Sequence, residues 1–207
     1  MASIYDLKPK FQSLLRPILR FLIKIKLTPN KVTLIALVGS LLTGIFILIN
    51  SKDLKWLLIL PIWLFIRMAL NAMDGMMARE FNLSTNMGAV LNEVGDVLSD
   101  LFLYLPLAAV SPEALSFIVL FVLGAVITEF CGILGKALGA TRHYEGPMGK
   151  SDRAFLIGLL AFLTAFFPII IGIWKWMFLA LFLMTVLTCK NRLKGALDEL
   201  SKGRIKS

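Results

Sequence analysis

Six long apolar runs divide the chain, at roughly 32–50, 54–73, 88–110, 112–137, 153–173 and 175–190. About 20 apolar residues carry a helix across a bilayer. The pattern therefore predicts an all-α integral membrane fold with six transmembrane helices. The third run is unusual: its first half carries Asn92, Glu93, Asp96 and Asp100, and it becomes purely apolar only at LFLYLPLAAV. Ahead of the first run, residues 4–27 alternate basic and apolar positions. Leu14, Leu15, Ile18, Leu19, Leu22 and Ile23 recur at helical spacing, with Lys8, Lys10, Arg16, Arg20, Lys24 and Lys26 mostly between them. This spacing predicts an N-terminal amphipathic interfacial helix on an anionic membrane surface, with Pro17 as a point of kinking. A cytosolic helix packed on the bundle is the alternative. The expected organisation is a juxtamembrane segment over 1–27, a membrane domain over 28–190 and a basic cytosolic tail over 191–207.

Composition strengthens the membrane assignment. Apolar residues make up 58% of the 207 and charged residues only 17%, and the mean hydropathy is +0.82. Soluble domains lie nearer 45–50% apolar. The net charge of +9 raises the question of nucleic acid, but the basic residues sit between apolar runs, where they fix topology. No nucleic-acid partner is expected. With a cytosolic N-terminus, Lys52, Lys55 and Lys175 fall on the far side and the other 19 of the 22 Lys and Arg on the near side. That asymmetry puts both termini in the cytosol and the acidic stretch at the cytosolic face. No cleavage site for a signal peptide follows the first apolar positions. Cys131 and Cys189 lie in apolar runs and read as packing residues.

The chemistry concentrates in NAMDGMMAREFNLSTNMGAVLNEVGDVLSD, residues 71–100. Carboxylates within membrane spans are costly and mark function by default. Asn71 and Asp74 share a helix face, as do Asn92 and Asp96, with Asp100 one turn deeper and Glu93 on a neighbouring stripe. Two helices joined by a turn bring these faces together. Like charges so placed need cations. Oxygen ligands from Asp, Glu and Asn suit Mg2+ or Mn2+. A proton relay, or an ion pair with Arg67 or Arg79, is the plainer alternative. Ala72, Gly75, Ala78 and Gly88 surround the acids, either for close helix packing or to let a flat ligand reach the backbone.

Asn71, Asp74, Gly75, Ala78, Arg79, Gly88, Asn92 and Asp96 fall without a gap on the frame D-x2-D-G-x2-A-R-x8-G-x3-D-x3-D. The chain thereby resembles the CDP-alcohol phosphotransferase (CDP-alcohol phosphatidyltransferase class I) family. The six-span plan, the amphipathic start and PNKVT at 29–33 extend the resemblance. It implies transfer of a phosphoryl-linked group from a CDP-alcohol, often CDP-diacylglycerol, to an alcohol acceptor with loss of CMP. It also implies two divalent ions on the signature acids, a count that Asn71 and Asn92 leave at one or two in this chain, together with a homodimer and small residues lining the cytidine pocket. On this resemblance the nucleotide-binding residues are Ala72, Gly75, Ala78, Arg79 and Gly88. Asp96 is the base that activates the acceptor hydroxyl. Asn71, Asp74, Asn92, Glu93, Asp96 and Asp100 form the candidate ligand set. The first and third signature aspartates are Asn71 and Asn92 here, so two formal charges are missing, with Glu93 and Asp100 as compensators.

A second polar cluster, ATRHYEGPMGKSDR at 140–153, offers Arg142, Lys150 and Arg153 as an acceptor phosphate subsite. A loop that only fixes topology is the alternative. Glu129 stands alone in an apolar run, its partner open among Arg67, lipid headgroups and an acceptor cavity. The four tryptophans read mostly as interfacial anchors. The chain is expected to be a phosphatidyltransferase, with a phosphorylated polyol such as glycerol 3-phosphate or inositol phosphate as first-choice acceptor. An aminoalcohol-type enzyme using a soluble CDP-alcohol and diacylglycerol, a degenerate lipid- or nucleotide-binding protein, and a small proton-coupled transporter are the rivals.

Overall fold

Apolar runs in which every backbone group must find its partner within the segment become helices. The computed structural model describes residues 4–204, and the side chains of 11–202. Lys8, Lys10 and the last five residues of the tail therefore lie outside what is described at side-chain level. The described chain contains helices α1 (Ile4–Lys24), α2 (Pro29–Ile49), α3 (Ile59–Glu80), α4 (Asn86–Tyr104), the short α5 (Leu107–Val110), α6 (Leu115–Ala137), α7 (Lys150–Phe166) and α8 (Trp174–Arg204). Turns of 3-10 helix at Leu54–Leu58, Pro112–Ala114 and Pro168–Ile173 lead into α3, α6 and α8.

Among the described residues four segments are long and apolar enough to cross a membrane: Pro29–Ile49, Leu54–Glu80, Pro112–Ala137 and Pro168–Lys202. The other two expected spans are weaker for physical reasons. α4 carries Glu93, Asp96 and Asp100 in its middle, and α7 has only 17 residues and opens with Lys150, Asp152 and Arg153. α8 has 31 residues, about 45 Å at helical rise, which exceeds a hydrocarbon core of roughly 30 Å. Residues 191–204 continue this helix without a break.

Helix ends follow local chemistry. Pro29 opens α2 behind Thr28, whose side chain accepts from Lys31 N. Thr85 caps α4 by accepting from Gly88 N at 2.9 Å. Asp152 accepts from Gly149 N at 2.9 Å and fixes the start of α7. α3 stops at Asn82, which takes the left-handed conformation (φ 54°) that Asn tolerates, while Leu83 N returns to the Ala78 carbonyl. The α3–α4 turn is thus only residues 81–85. α1 runs unbroken through Pro17.

α2 packs on α3 and α4, α3 on α7, and α6 along α8. Small residues set the closest approaches, as expected where van der Waals fit drives helix association. A Cβ at Gly44 would overlap the Phe102 carbonyl across α2–α4, and one at Gly124 would overlap the Thr185 hydroxyl across α6–α8. One apolar core joins Leu60 and Leu64 of α3, Leu103 and Tyr104 of α4, Phe121 of α6, Ile157 of α7, and Trp174 and Phe178 of α8. Trp174 is 1% exposed and donates to Thr164 Oγ1 at 2.9 Å, so it is a core residue and not an interfacial anchor. A second cluster puts Leu15 and Leu19 of α1 on Val32, Met73, Met76 and Met77. Arg16 pairs with Glu80 at 3.0 Å. α1 therefore docks on the bundle by one edge and leaves Leu14, Ile18 and Phe21 exposed on another, with Ile25 exposed in the turn just after it.

Between these two clusters lies a buried layer of charge. Arg67 Nη1 donates to Asp100 Oδ1 at 2.6 Å, and Arg153 Nε to Asp100 Oδ2 at 2.9 Å. This clamp joins α3, α4 and α7. Removing one partner of a buried pair costs about 3–5 kcal/mol. Asp100→Leu is therefore expected to lower unfolding stability in detergent by about that amount, and Arg67→Met/Asp100→Leu to recover part of it. Denaturant titration followed by circular dichroism measures both; a loss below about 1 kcal/mol for the single variant would show that the clamp does not hold the bundle.

Candidate active site

A cavity of about 340 Å³ opens at the end of the bundle where α2, α4 and α7 begin and α3 finishes. Its lining includes Pro29, Asn30 and Thr33 of α2, Asn71, Asp74, Gly75, Ala78 and Arg79 of α3, and Gly88, Ala89 and Asn92 of α4, with Lys150 of α7. Three helix N-termini thus meet at one space, each with the positive end of its dipole. Together with Arg79 and Lys150 they favour an anion such as a diphosphate. A Cβ at Gly88 would lie 2.6 Å from Asn30 Oδ1 and 3.0 Å from Thr85 Oγ1, so a side chain here would have to displace the Asn30 amide and crowd the Thr85 hydroxyl.

The expected site residues separate into three groups. Asn71, Asp74, Gly75, Ala78, Arg79, Gly88, Asn92 and Lys150 share the cavity wall. Asp96 stands directly behind it: Lys150 Nζ donates to its Oδ2, and Asn71 Nδ2 donates to its Oδ1 at 2.9 Å. Arg67 Nη2 lies 3.0 Å from the Asp96 carbonyl and 3.5 Å from Oδ1, which fixes the backbone that carries this carboxylate.

The second group turns away. Ala72, one residue round the helix from Asn71, packs into the Leu19–Val32–Met73 cluster and lies outside the cavity lining. Glu93 pairs with Arg142. Asp100 has both oxygens on the Arg67 and Arg153 guanidinium groups. An ion pair with Arg67, the plainer alternative for these acids, is thus present at Asp100.

The third group comprises the other two basic residues of the 140–153 cluster. Arg153 is 1% exposed; beyond Asp100 it donates to Thr128 Oγ1 at 3.0 Å, to the Met148 carbonyl at 3.1 Å and to Glu129 Oε1 at 2.9 Å. Arg142 Nη2 donates to Glu129 Oε2 at 3.1 Å. Neither lines the cavity. Glu129 is a hub for three arginines, since Arg192 Nη1 also lies 3.6 Å from its Oε2. The loop is tied to α8 as well: Thr141 and His143 both reach Glu199. The Glu145 hydrogen bond, assisted by Glu199, raises the His143 imidazole above its ordinary range. Gly146, at φ 128° and against Thr188, requires glycine.

Sequence reasoning passed over Thr33, Asn30 and Thr85 as site residues. Thr33 Oγ1 donates to Asp74 Oδ2 at 2.8 Å and orients the carboxylate at the cavity wall. The visible signal was PNKVT, whose fifth residue is this threonine.

Whether these residues suit a divalent ion can be asked of the donors themselves. Asn71, Asp74 and Asn92 present oxygen donors to one cavity, and Asp74 keeps Oδ1 free of the Thr33 bond. That set suits one hard cation. Among the described residues no three His, Cys, Asp or Glu side chains gather as a metal-holding group, so the amide oxygens of Asn71 and Asn92 are needed to complete the set around Asp74.

Comparison with known proteins agrees with this geometry. The family profile of CDP-alcohol phosphatidyltransferases matches residues 26–188. The chain is 49% identical over 166 residues to the inner membrane protein YnbA of Escherichia coli (strain K12), covering 80% of this chain and 82% of YnbA. Its fold is similar to Mycobacterium tuberculosis phosphatidylinositol phosphate synthase (PgsA1) with CDP-DAG bound, at TM-score 0.72 and 21% identity over 87% of this chain and 92% of that one. The likeness extends to PgsA1 in complex with manganese and citrate, at TM-score 0.73 and 21% identity over 87% and 88% of the two chains. With its apolar helices and the frame at 71–96 converging on one cavity, this integral membrane protein belongs to the CDP-alcohol phosphatidyltransferase family.

Proposed function

We propose that the protein moves a phosphatidyl group from CDP-diacylglycerol to an alcohol acceptor and releases CMP. The observation that carries this proposal is the single cavity lined by Gly75, Ala78 and Arg79 of α3 and Gly88 of α4, with Asp74 on its wall and Asp96 behind it. PgsA1, which shares the fold, holds CDP-DAG in its crystal structure.

The residues divide the work. Gly75, Ala78 and Gly88 leave room for the cytidine, and Arg79 with the three helix N-termini faces the diphosphate. The Asp96 carboxylate accepts the proton of the acceptor hydroxyl as its oxygen attacks the phosphorus that carries diacylglycerol. The new P–O bond forms as the diphosphate P–O bond breaks, and CMP departs with the bonding electron pair. Arg67 and Asn71 hold Asp96 in place. Bound Mg2+ or Mn2+ would neutralise charge on the phosphoryl oxygens, with Asn71, Asp74 and Asn92 as holders. Asp100 and Glu93, held by arginines, serve as anchors in this scheme. So does Arg153, while Arg142 closes the loop over Glu93 and Glu129.

The acceptor is defined here as an alcohol. Glycerol 3-phosphate and inositol phosphate are the first acceptors to offer, because PgsA1, which shares the fold, is a phosphatidylinositol phosphate synthase. We also propose that α2, α3, α4, α6, α7 and α8 all span the membrane, that α1 lies at the interface by Leu14, Ile18 and Phe21, with Ile25 just after it, and that both termini and the cavity face the cytosol. Assembly as a homodimer completes the proposal.

Purified protein in liposomes with CDP-diacylglycerol, Mg2+ or Mn2+ and a panel of alcohols is expected to release CMP. Asp96→Asn should lower that rate roughly 10²–10⁴-fold, the usual range for a lost general base. Nucleotide binding without CMP release across the panel would instead identify a degenerate binding protein, and activity only with a soluble CDP-alcohol and diacylglycerol would move the assignment to the aminoalcohol type. Gly88→Val should raise KM for the donor and leave KM for the acceptor nearly unchanged; an equal rise in both would place the cytidine elsewhere.

A further inference from the structure

The frame at 71–96 carries two carboxylates, Asp74 and Asp96, and two neutral amides, Asn71 and Asn92. The compensators expected from sequence, Glu93 and Asp100, are engaged by arginines instead. Asp96 already has a cation. Lys150 Nζ donates to its Oδ2, and Asn71 donates to its Oδ1. Lysine is a compact point charge on a flexible stem, and this one is well supported. It is the first residue of α7, whose start is fixed by the Asp152–Gly149 bond and by Arg153 three residues on, clamped to Asp100 and Glu129.

Charge balance decides how many ions fit. With Arg79 and Lys150 counted against Asp74 and Asp96, two divalent ions would leave four surplus positive charges before any donor arrives, and a single ion leaves two. Repulsion between two dications is four times that between two single charges at the same separation. With two of four frame positions neutral, little remains to offset it. We propose that this site takes one divalent ion, on Asn71, Asp74 and Asn92, and that the Lys150 ammonium on Asp96 stands in place of a second. The diphosphate of the donor would then be neutralised by one ion on the Asp74 side and a lysine on the Asp96 side. This rests on the phosphatidyl-transfer assignment above and gives it a stated cation count.

The test is a titration of the full-length chain in detergent with Mn2+ alone, read by electron paramagnetic resonance. Wild type is expected to bind one Mn2+ per chain with no spin coupling. Asn71→Asp/Asn92→Asp/Lys150→Met should bind a second ion, spin-coupled to the first, and Lys150→Arg should stay at one. Two coupled ions in the wild type overturn the proposal, and so does no bound ion. A folded triple variant that still holds one ion overturns it too. CMP release measured on the same samples keeps the two proposals apart. Two ions with CMP release removes only the cation count; one ion with no CMP release for any acceptor removes only the transferase assignment.

Discussion

A carboxylate buried between apolar helices can stay charged only if cations are held against it, and Asp100 is where this protein meets that constraint. Its two oxygens are taken by Arg67 of α3 and Arg153 of α7. Arg153 passes the pairing on to Glu129 of α6, and Glu129 meets Arg142 of the following loop and Arg192 of α8. An alternating chain of charge therefore crosses the bundle just beneath the cavity and fixes the relative depth of five helices and one loop. Apolar packing alone does this poorly in a membrane, where lipid tails compete as equal partners for every leucine.

The clamp also determines what the cavity can do. By consuming Asp100, Glu129, Arg153 and Arg142 in structure, it leaves Asp74, Arg79 and Lys150 as the charged groups on the cavity wall, with Asp96 behind them. Arg67 belongs to both sets: one end holds Asp100 and the other holds the Asp96 backbone. A single guanidinium thus links the stability of the bundle to the aim of the proposed base.

Local spacing made part of this legible in the sequence. The fixed frame put Asp74, Gly75, Ala78 and Arg79 on one helix and Gly88, Asn92 and Asp96 on the next, and the five-residue turn brings them together. Ala72 and Glu93 were drawn into the site by nearness in sequence, but each lies about 100° round its helix from the neighbour that matters. Thr33 and Glu129 could not be assigned partners, because Asp74 is 41 residues from Thr33 and the three arginines on Glu129 come from different elements. Contacts of that kind depend on which helices pack together. Lys150 was seen as a phosphate ligand; its seat on Asp96 is likewise a tertiary fact. Hydropathy predicted six spans, and four of the six segments are long and apolar enough among the described residues; α4 and α7 fall short because they carry the charges of the cavity and the clamp.

The central claim is a division of labour among acids: Asp74 and Asp96 serve the ligand, and Asp100 serves the bundle. Anomalous diffraction at the manganese edge, on crystals grown with Mn2+ and a CDP-alcohol, tests it most directly. The claim predicts a manganese peak within ligand distance of Asp74, with Asp100 still held by Arg67 and Arg153. A peak on Asp100 with either arginine displaced would contradict it.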